Sequence, residues 1–244
     1  MKRSTGVSTV LLLAVLAPTG ADHAAPVTKG GAVNVVVDAV LGVDGSLKGT
    51  LTSTWSAACA AELSGRLMKL EPSQRSAALA AMAGPPLTGH LNLATEIKGL
   101  GQTGADLVVT YTLDAPRFAP AEGPGKVPGL PLSLGLPLLS PYDPLKVPAA
   151  LLPVVVNHDI TIKLPPSTVP LEIPSAFSTV TPDAGRYVLW FDLAKAATVV
   201  VKARRELEIT GASPARLGEL AEGVASHDAT RLTIVASKPA ASSG

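Results

Sequence analysis

The sequence predicts a mainly β protein with a helical insertion in its first half and a short helix near its C-terminus. Three observations carry that expectation. Apolar and polar residues alternate through stretches such as Leu107–Asp114 and Arg186–Leu193, the period of a half-buried strand. Asp44-Gly45 lies between two apolar-rich stretches, the chemistry of a tight hairpin turn. A single long run from Ala57 to Gly84-Pro85-Pro86 is rich in Ala, Leu, Met, Arg and Glu, residues that favour helix.

Taken in order, Met1-Lys2-Arg3 supplies a positive start, Val7–Pro18 an apolar run and Thr19-Gly20-Ala21 small residues. This is the three-part pattern of a secretory signal peptide over residues 1–21. A membrane anchor is the alternative, but spanning needs roughly 20 apolar residues and Pro18 interrupts the run. No cysteine follows, so a lipid-modified N-terminus is not indicated, and the expected location is the periplasm or cell envelope of a bacterium. After an Ala- and Gly-rich lead-in, Val33–Leu41 and Leu47–Trp55 flank Gly42-Val43-Asp44-Gly45 as a β-hairpin. Glu71-Pro72-Ser73 divides the helical run that follows into two short helices. Leu107, Val109, Tyr111 and Leu113 then share one face of a strand, completing a first group of elements over residues 22–115.

Residues 116–153 hold Pro128, Pro131, Pro137, Pro141, Pro144, Pro148 and Pro153 with leucines between them. Such density forbids a regular helix. A membrane segment is disfavoured because backbone groups in hydrocarbon need a helix or closed barrel, and a packed connector is expected. The second group spans residues 154–238. Ile160, Ile162 and Leu164 alternate with Asp159, Thr161 and Lys163 before Pro165-Pro166. Tyr187, Leu189, Phe191 and Leu193 share a face, and Val199–Ile209 sets an apolar side against Lys202, Arg204, Glu206 and Glu208, read as solvated. Ser213-Pro214 opens a helix carrying Leu217, Leu220 and Val224, with serine suited to the N-cap and proline to the first turn. Arg231–Ala236 is a final strand, and residues 239–244 are an expected disordered tail.

The 244 residues are enough to bury a sizeable core, and the chain is 47% hydrophobic but only 3% aromatic. The core is therefore expected to be aliphatic, with Trp55, Trp190 and Phe191 as its rare bulky anchors. Lys and Arg number 20 against 19 Asp and Glu, and loss of Lys2 and Arg3 with the leader changes this to 18 against 19. That balance argues against nucleic acid. Cys59 is the single cysteine, which excludes an intramolecular disulfide framework.

Catalytic signatures are missing. No Gly-x-Ser-x-Gly elbow surrounds any serine. Ser226-His227-Asp228 spells a triad, but neighbours in sequence point in different directions and are not expected to chain hydrogen bonds. His158-Asp159 has the same weakness and suits a turn at a strand entrance. His90, His158 and His227 lack the close spacing of zinc ligands, and Asp38, Asp44 and Asp106 lack that of a calcium-binding hand. Asp44 reads as a turn residue. Gly99–Gly104 lacks the ending and setting of a phosphate loop. Cys59, in the alanine-rich Trp55-Ser56-Ala57-Ala58-Cys59-Ala60-Ala61, reads as a buried thiol rather than an activated nucleophile. No catalytic, cofactor-binding or metal-binding residue is expected.

The order of segments resembles the C-terminal β-rich region, a domain of unknown function, that follows the catalytic core in bacterial transglutaminase-like envelope proteins. Val35–Leu51 with its Asp44-Gly45 turn, the helical run with Glu62 and Arg66, and the Ile160–Pro165 strand carry the likeness. Gly185-Arg186-Tyr187, Val199–Leu207 and the closing helix and strand continue it over roughly residues 33 to 236. The resemblance implies two β-sandwich-like lobes joined by the proline-rich connector, without the transglutaminase core and its Cys, His and Asp. It also implies a non-catalytic accessory or scaffold module binding another envelope protein, such as a separate transglutaminase-like enzyme. An apolar-ligand or membrane-surface role through Leu130–Leu152 is the alternative, and a hydrolase using Cys59 or His227 a third reading.

Overall fold

The computed structural model describes residues 30–75, 78, 92–119, 130–131, 151–166, 168–195, 198–211, 213–228 and 231–236. Its first elements are β1 (Gly31–Leu41), β2 (Leu47–Trp55) and α1 (Ala57–Leu67), followed by β3 (Asn92–Lys98), β4 (Leu107–Ala115) and the short β5 (Leu130–Pro131). Then come β6 (Val154–Lys163), β7 (Thr168–Glu172), β8 (Phe177–Thr181), β9 (Gly185–Lys195), β10 (Val199–Ile209), α2 (Pro214–Asp228) and β11 (Arg231–Ala236). Eight strands form one sheet in the order β3-β4-β2-β1-β6-β10-β9-β8, and β5-β11-β7 form a second. The protein is mainly β, as its alternation predicts.

The β1–β2 hairpin forms where Asp44-Gly45 places it. Asp44 Oδ1 accepts from the Ser46 N–H at 3.0 Å and the Ser46 hydroxyl at 2.7 Å. Gly45 takes a φ of 78°, a left-handed geometry that glycine adopts without a Cβ clash. The expected leader, most of the proline-rich connector, His90 and the expected disordered tail lie outside the described residues.

The two sandwich-like lobes expected above are instead the two ends of one sheet. β1 pairs with β6 in parallel, from Gly31 opposite Val154 to Val40 opposite Lys163, while the other six junctions of the order are antiparallel. A parallel pair needs a long crossover, and the whole stretch from β2 to β5 supplies it. Both partners are valine-rich strands with one apolar face, so pairing them extends a single buried layer.

One face of that sheet is covered. Val33, Val35, Val37, Ala39 and Leu41 of β1 point into it, with Trp55, Tyr111 and Phe118 as its large fully buried aromatics among the first elements. α1 buries Cys59, Ala60, Leu63 and Leu67 against β1, β2 and β4; the fully buried leucines Leu63 and Leu67 each contribute roughly 1.5–3 kcal/mol. α2 buries Leu217, Leu220 and Val224 and packs on β8 and β9. Ser56 fixes the start of α1 to β1: its hydroxyl accepts the Ala32 N–H at 2.9 Å and its own N–H donates to the Ala32 carbonyl at 2.8 Å. Gly31 is required beside it, because a Cβ there would stand 2.5 Å from Cys59 Sγ.

β3, β7 and β8 have no clear period in the sequence. β6 begins at Val154, ahead of the alternating residues that announce it, because Val154-Val155-Val156 is a continuous apolar run, and such a run carries no face information.

Candidate functional site

The opposite face of the eight-stranded sheet is open, and its side chains fall into rows set by the strand register. Asn34 of β1 lies opposite Thr54 of β2, which lies opposite Val108 of β4; in the next row Val36 faces Thr52 and Thr52 faces Thr110. These six make a charge-free block, with Val36, 52% exposed, at its β1 edge. Charges surround it in pairs. Lys163 lies 3.9 Å from Asp38, Lys98 3.2 Å from Glu96, and Arg204 3.5 Å from Asp159. Arg186 holds both Glu206 and Glu208, the latter at 3.0 Å.

Towards β9 the face sinks into a depression of about 150 Å³ lined by Val188, Trp190, Arg204 and Glu206. Val188 and Trp190 are two residues apart on β9, and across the ladder Arg204 lies opposite Trp190 and Glu206 opposite Val188. On the other side β6 sets Asp159 opposite Arg204 and Asn157 opposite Glu206. Asn157 Nδ2 donates to Asn34 Oδ1 at 3.0 Å across the parallel β1–β6 pair. A strip of planar polar side chains thus runs from the centre of the face to the depression. Trp190, expected as a core anchor, belongs to this open face, whereas Trp55 is fully buried. Its parity gives the reason: Tyr187, Leu189, Phe191 and Leu193 point to the covered side, so Trp190 points away from it.

The covered face contains polar groups that residue type did not reveal. His158 is in the middle of β6 and fully buried, not in a turn at the strand entrance, because it shares the parity of Val156 and Ile160. Arg205, its cross-strand neighbour on β10, is also fully buried, and Arg205 Nη1 lies 3.2 Å from His158 Nδ1. Guanidinium only donates, so Nδ1 accepts and the neutral ring carries its hydrogen on Nε2. His158 Nε2 has no hydrogen-bond partner among the described residues. Burial, reinforced by the Arg205 charge, holds the His158 pKa well below its ordinary value of 6.5. The Arg205 guanidinium carbon sits 5.4 Å from the centre of the Tyr187 ring. Phe177 is 6.0 Å from Tyr187 and stacks on His227 of α2 at 3.3 Å.

Ser226 and His227 do meet, against the expectation that neighbours would point apart: Ser226 Oγ is 2.7 Å from His227 Nδ1. Both, however, address the Gly223 carbonyl, at 2.8 and 2.9 Å. A carbonyl only accepts, so His227 Nδ1 carries a hydrogen and cannot take one from Ser226. The contact closes a helix end and is no nucleophile–base pair.

Cys59 is buried on α1, and desolvation pushes its thiol pKa up. A buried protonated thiol is a poor nucleophile. α1 lies over β1, β2 and β4, while His227 on α2 lies over β8 and β9, so the two candidates of a hydrolase stand on different halves of the sheet. Asp44 is committed to its turn, and hydrogen bonds from Ser46 lower its carboxyl pKa. No group of three or more His, Cys, Asp and Glu is placed to hold a metal ion among the described residues. None of the described helices is long and apolar enough to cross a membrane.

Comparison with protein-family models, with curated proteins and with solved structures returns no match.

Proposed function

We propose that this chain is a non-catalytic binding module of a bacterial cell envelope that docks another envelope protein, a transglutaminase-like enzyme being one such partner, through the open face of its sheet. The observation that carries this reading is the charge-free block Asn34, Val36, Thr52, Thr54, Val108 and Thr110 ringed by charge pairs. An uncharged centre with a polar, solvated rim is the anatomy of a protein interface. The face is large enough: eight strands about 4.8 Å apart and roughly 30 Å long offer about 1,000 Å², against about 800 Å² per partner in a standard complex. The nearly balanced rim gives no polyanion a field to follow. The protonated, buried Cys59 and the occupied His227 Nδ1 support the non-catalytic part of the reading.

A photo-crosslinking residue at Thr52 tests it in intact envelopes. The expected result is one discrete adduct heavier than a dimer of this chain or of distinct mass from it, lost when Val36→Asp places a charge in the block. The same probe at Met68, on the far side of α1, gives no such adduct. Crosslinks only to a second copy, or none at all, would reject the reading.

A further inference from the structure

We propose that the depression between β9 and β10 is a subsite for one uncharged pyranose ring of a glycan. This goes beyond the docking of a protein partner and does not depend on it. The size fits, since a cavity of about 150 Å³ is enough to admit a six-membered ring, and the depression has that volume. Its chemistry is divided in the same way as that of a sugar. Val188 and Trp190, side by side on β9, form an apolar floor, and Arg204 and Glu206 on β10 form a polar wall. A pyranose ring likewise has an apolar C–H face and a rim of hydroxyls.

Charge and hydrogen-bonding capacity narrow the ligand further. Arg204 is already matched by Asp159, and Glu206 by Arg186. A phosphate or carboxylate would compete with an existing carboxylate partner and gain no net field. A neutral group meets no such penalty. The wall offers donors only from Arg204 and acceptors only from Glu206. A neutral hydroxyl donates and accepts at a single atom, so a polyol rim satisfies both. The benzyl group of a phenylalanine on a protein partner would cover the floor but leave that wall unpaired, at a desolvation cost. From the depression the strip of Asp159, Asn157 and Asn34 continues across β6 and β1, which gives the next sugar of a chain polar side chains to meet as it crosses the strands.

The two tryptophans make the test direct. Trp55 is fully buried, so a ligand-dependent change in tryptophan emission reports Trp190. The full chain is titrated with N-acetylglucosamine trimer, glucose trimer and mannose trimer, and in parallel with N-acetylphenylalanine amide as the probe for a protein side chain. At least one trisaccharide is expected to give a saturable change with a Kd of about 1 mM or tighter. Trp190→Ala, read by ligand saturation-transfer NMR, should weaken that binding at least tenfold. Glu206→Gln, which keeps the shape of the wall, should weaken it severalfold with an unchanged melting temperature. No response to any trisaccharide, an unaltered affinity in both variants, or saturation by the phenylalanine amide with no trisaccharide bound would each overturn the proposal. None of these outcomes bears on the Thr52 crosslink, so the two readings fail separately.

Discussion

Replacing His158 with glutamine is expected to remove one proton's worth of acid sensitivity from the fold. His158 is fully buried, and its pKa is held well below 6.5 by desolvation and then by Arg205. In the unfolded chain the ring returns to its ordinary value. Below pH about 6.5 the unfolded state therefore takes up a proton that the folded state refuses, and the balance moves towards unfolding. The stability associated with the neutral ring is complete above about 6.5 and is lost as pH falls from there towards the depressed folded value. One proton corresponds to about 1.4 kcal/mol per pH unit, the limiting slope reached between the unfolded and the depressed folded values. A slope of that size is appreciable beside the roughly 5–15 kcal/mol typical of a domain. The measurement is urea denaturation of wild type and His158→Gln at half-unit steps from pH 7.5 to 4.5. Glutamine retains an acceptor for Arg205 Nη1 but does not titrate. The variant loses some stability at pH 7.5, and its stability should fall less steeply with acid, the two curves converging as pH falls below about 6.5. Carboxylates such as Asp44 titrate in both proteins and cancel in the difference. Parallel curves would show that the folded protein protonates this ring as easily as the unfolded chain does.

Other consequences follow from the seam between α1 and β1. Gly31→Ala places a methyl group 2.5 Å from Cys59 Sγ and should cost about 1–3 kcal/mol in a denaturant melt; Cys59→Ala in the same chain should restore much of it, and additive losses would disprove the clash. Ser56→Ala leaves the Ala32 N–H without its 2.9 Å acceptor and should destabilise by about 1–3 kcal/mol, with unchanged stability counting against the hydrogen bond. The Cys59 thiol, buried and with a raised pKa, should react with iodoacetamide at pH 8 only at the rate of unfolding, so rapid labelling of the native protein would contradict its placement.

Local order was legible where a strand has one covered face and no competing signal. β10 and β11 end at the residues that alternation indicates, and the β1–β2 hairpin follows from a single Asp-Gly turn. The start of β6 was not legible, because consecutive valines satisfy both faces at once. The joining of the two strand groups was also hidden, since a parallel pairing of distant segments leaves no mark in either one. For the candidate sites the difficulty was different. Arg205 shares the parity of Ala203 and Leu207, and His158 that of Val156 and Ile160, so position announced their burial while residue type spoke against it. Trp190 is the mirror case, a large apolar side chain placed by parity on the outside. Where the two signals conflicted, parity was the better guide, because a strand cannot turn one side chain around without displacing its neighbours.

The parallel β1–β6 seam also governs how this chain can come together. Asn34 and Asn157, which touch across it, are 123 residues apart in sequence. Until β6 has emerged from the ribosome, β1 is a long valine-rich strand with one side unpaired, the kind of edge that recruits other strands. Contacts so distant in the chain slow folding, which lengthens that exposure. A truncated product ending before residue 154 is thus a template for aggregation rather than a smaller version of the protein, and a chaperone that shields β1 during synthesis has a definite interval in which to act.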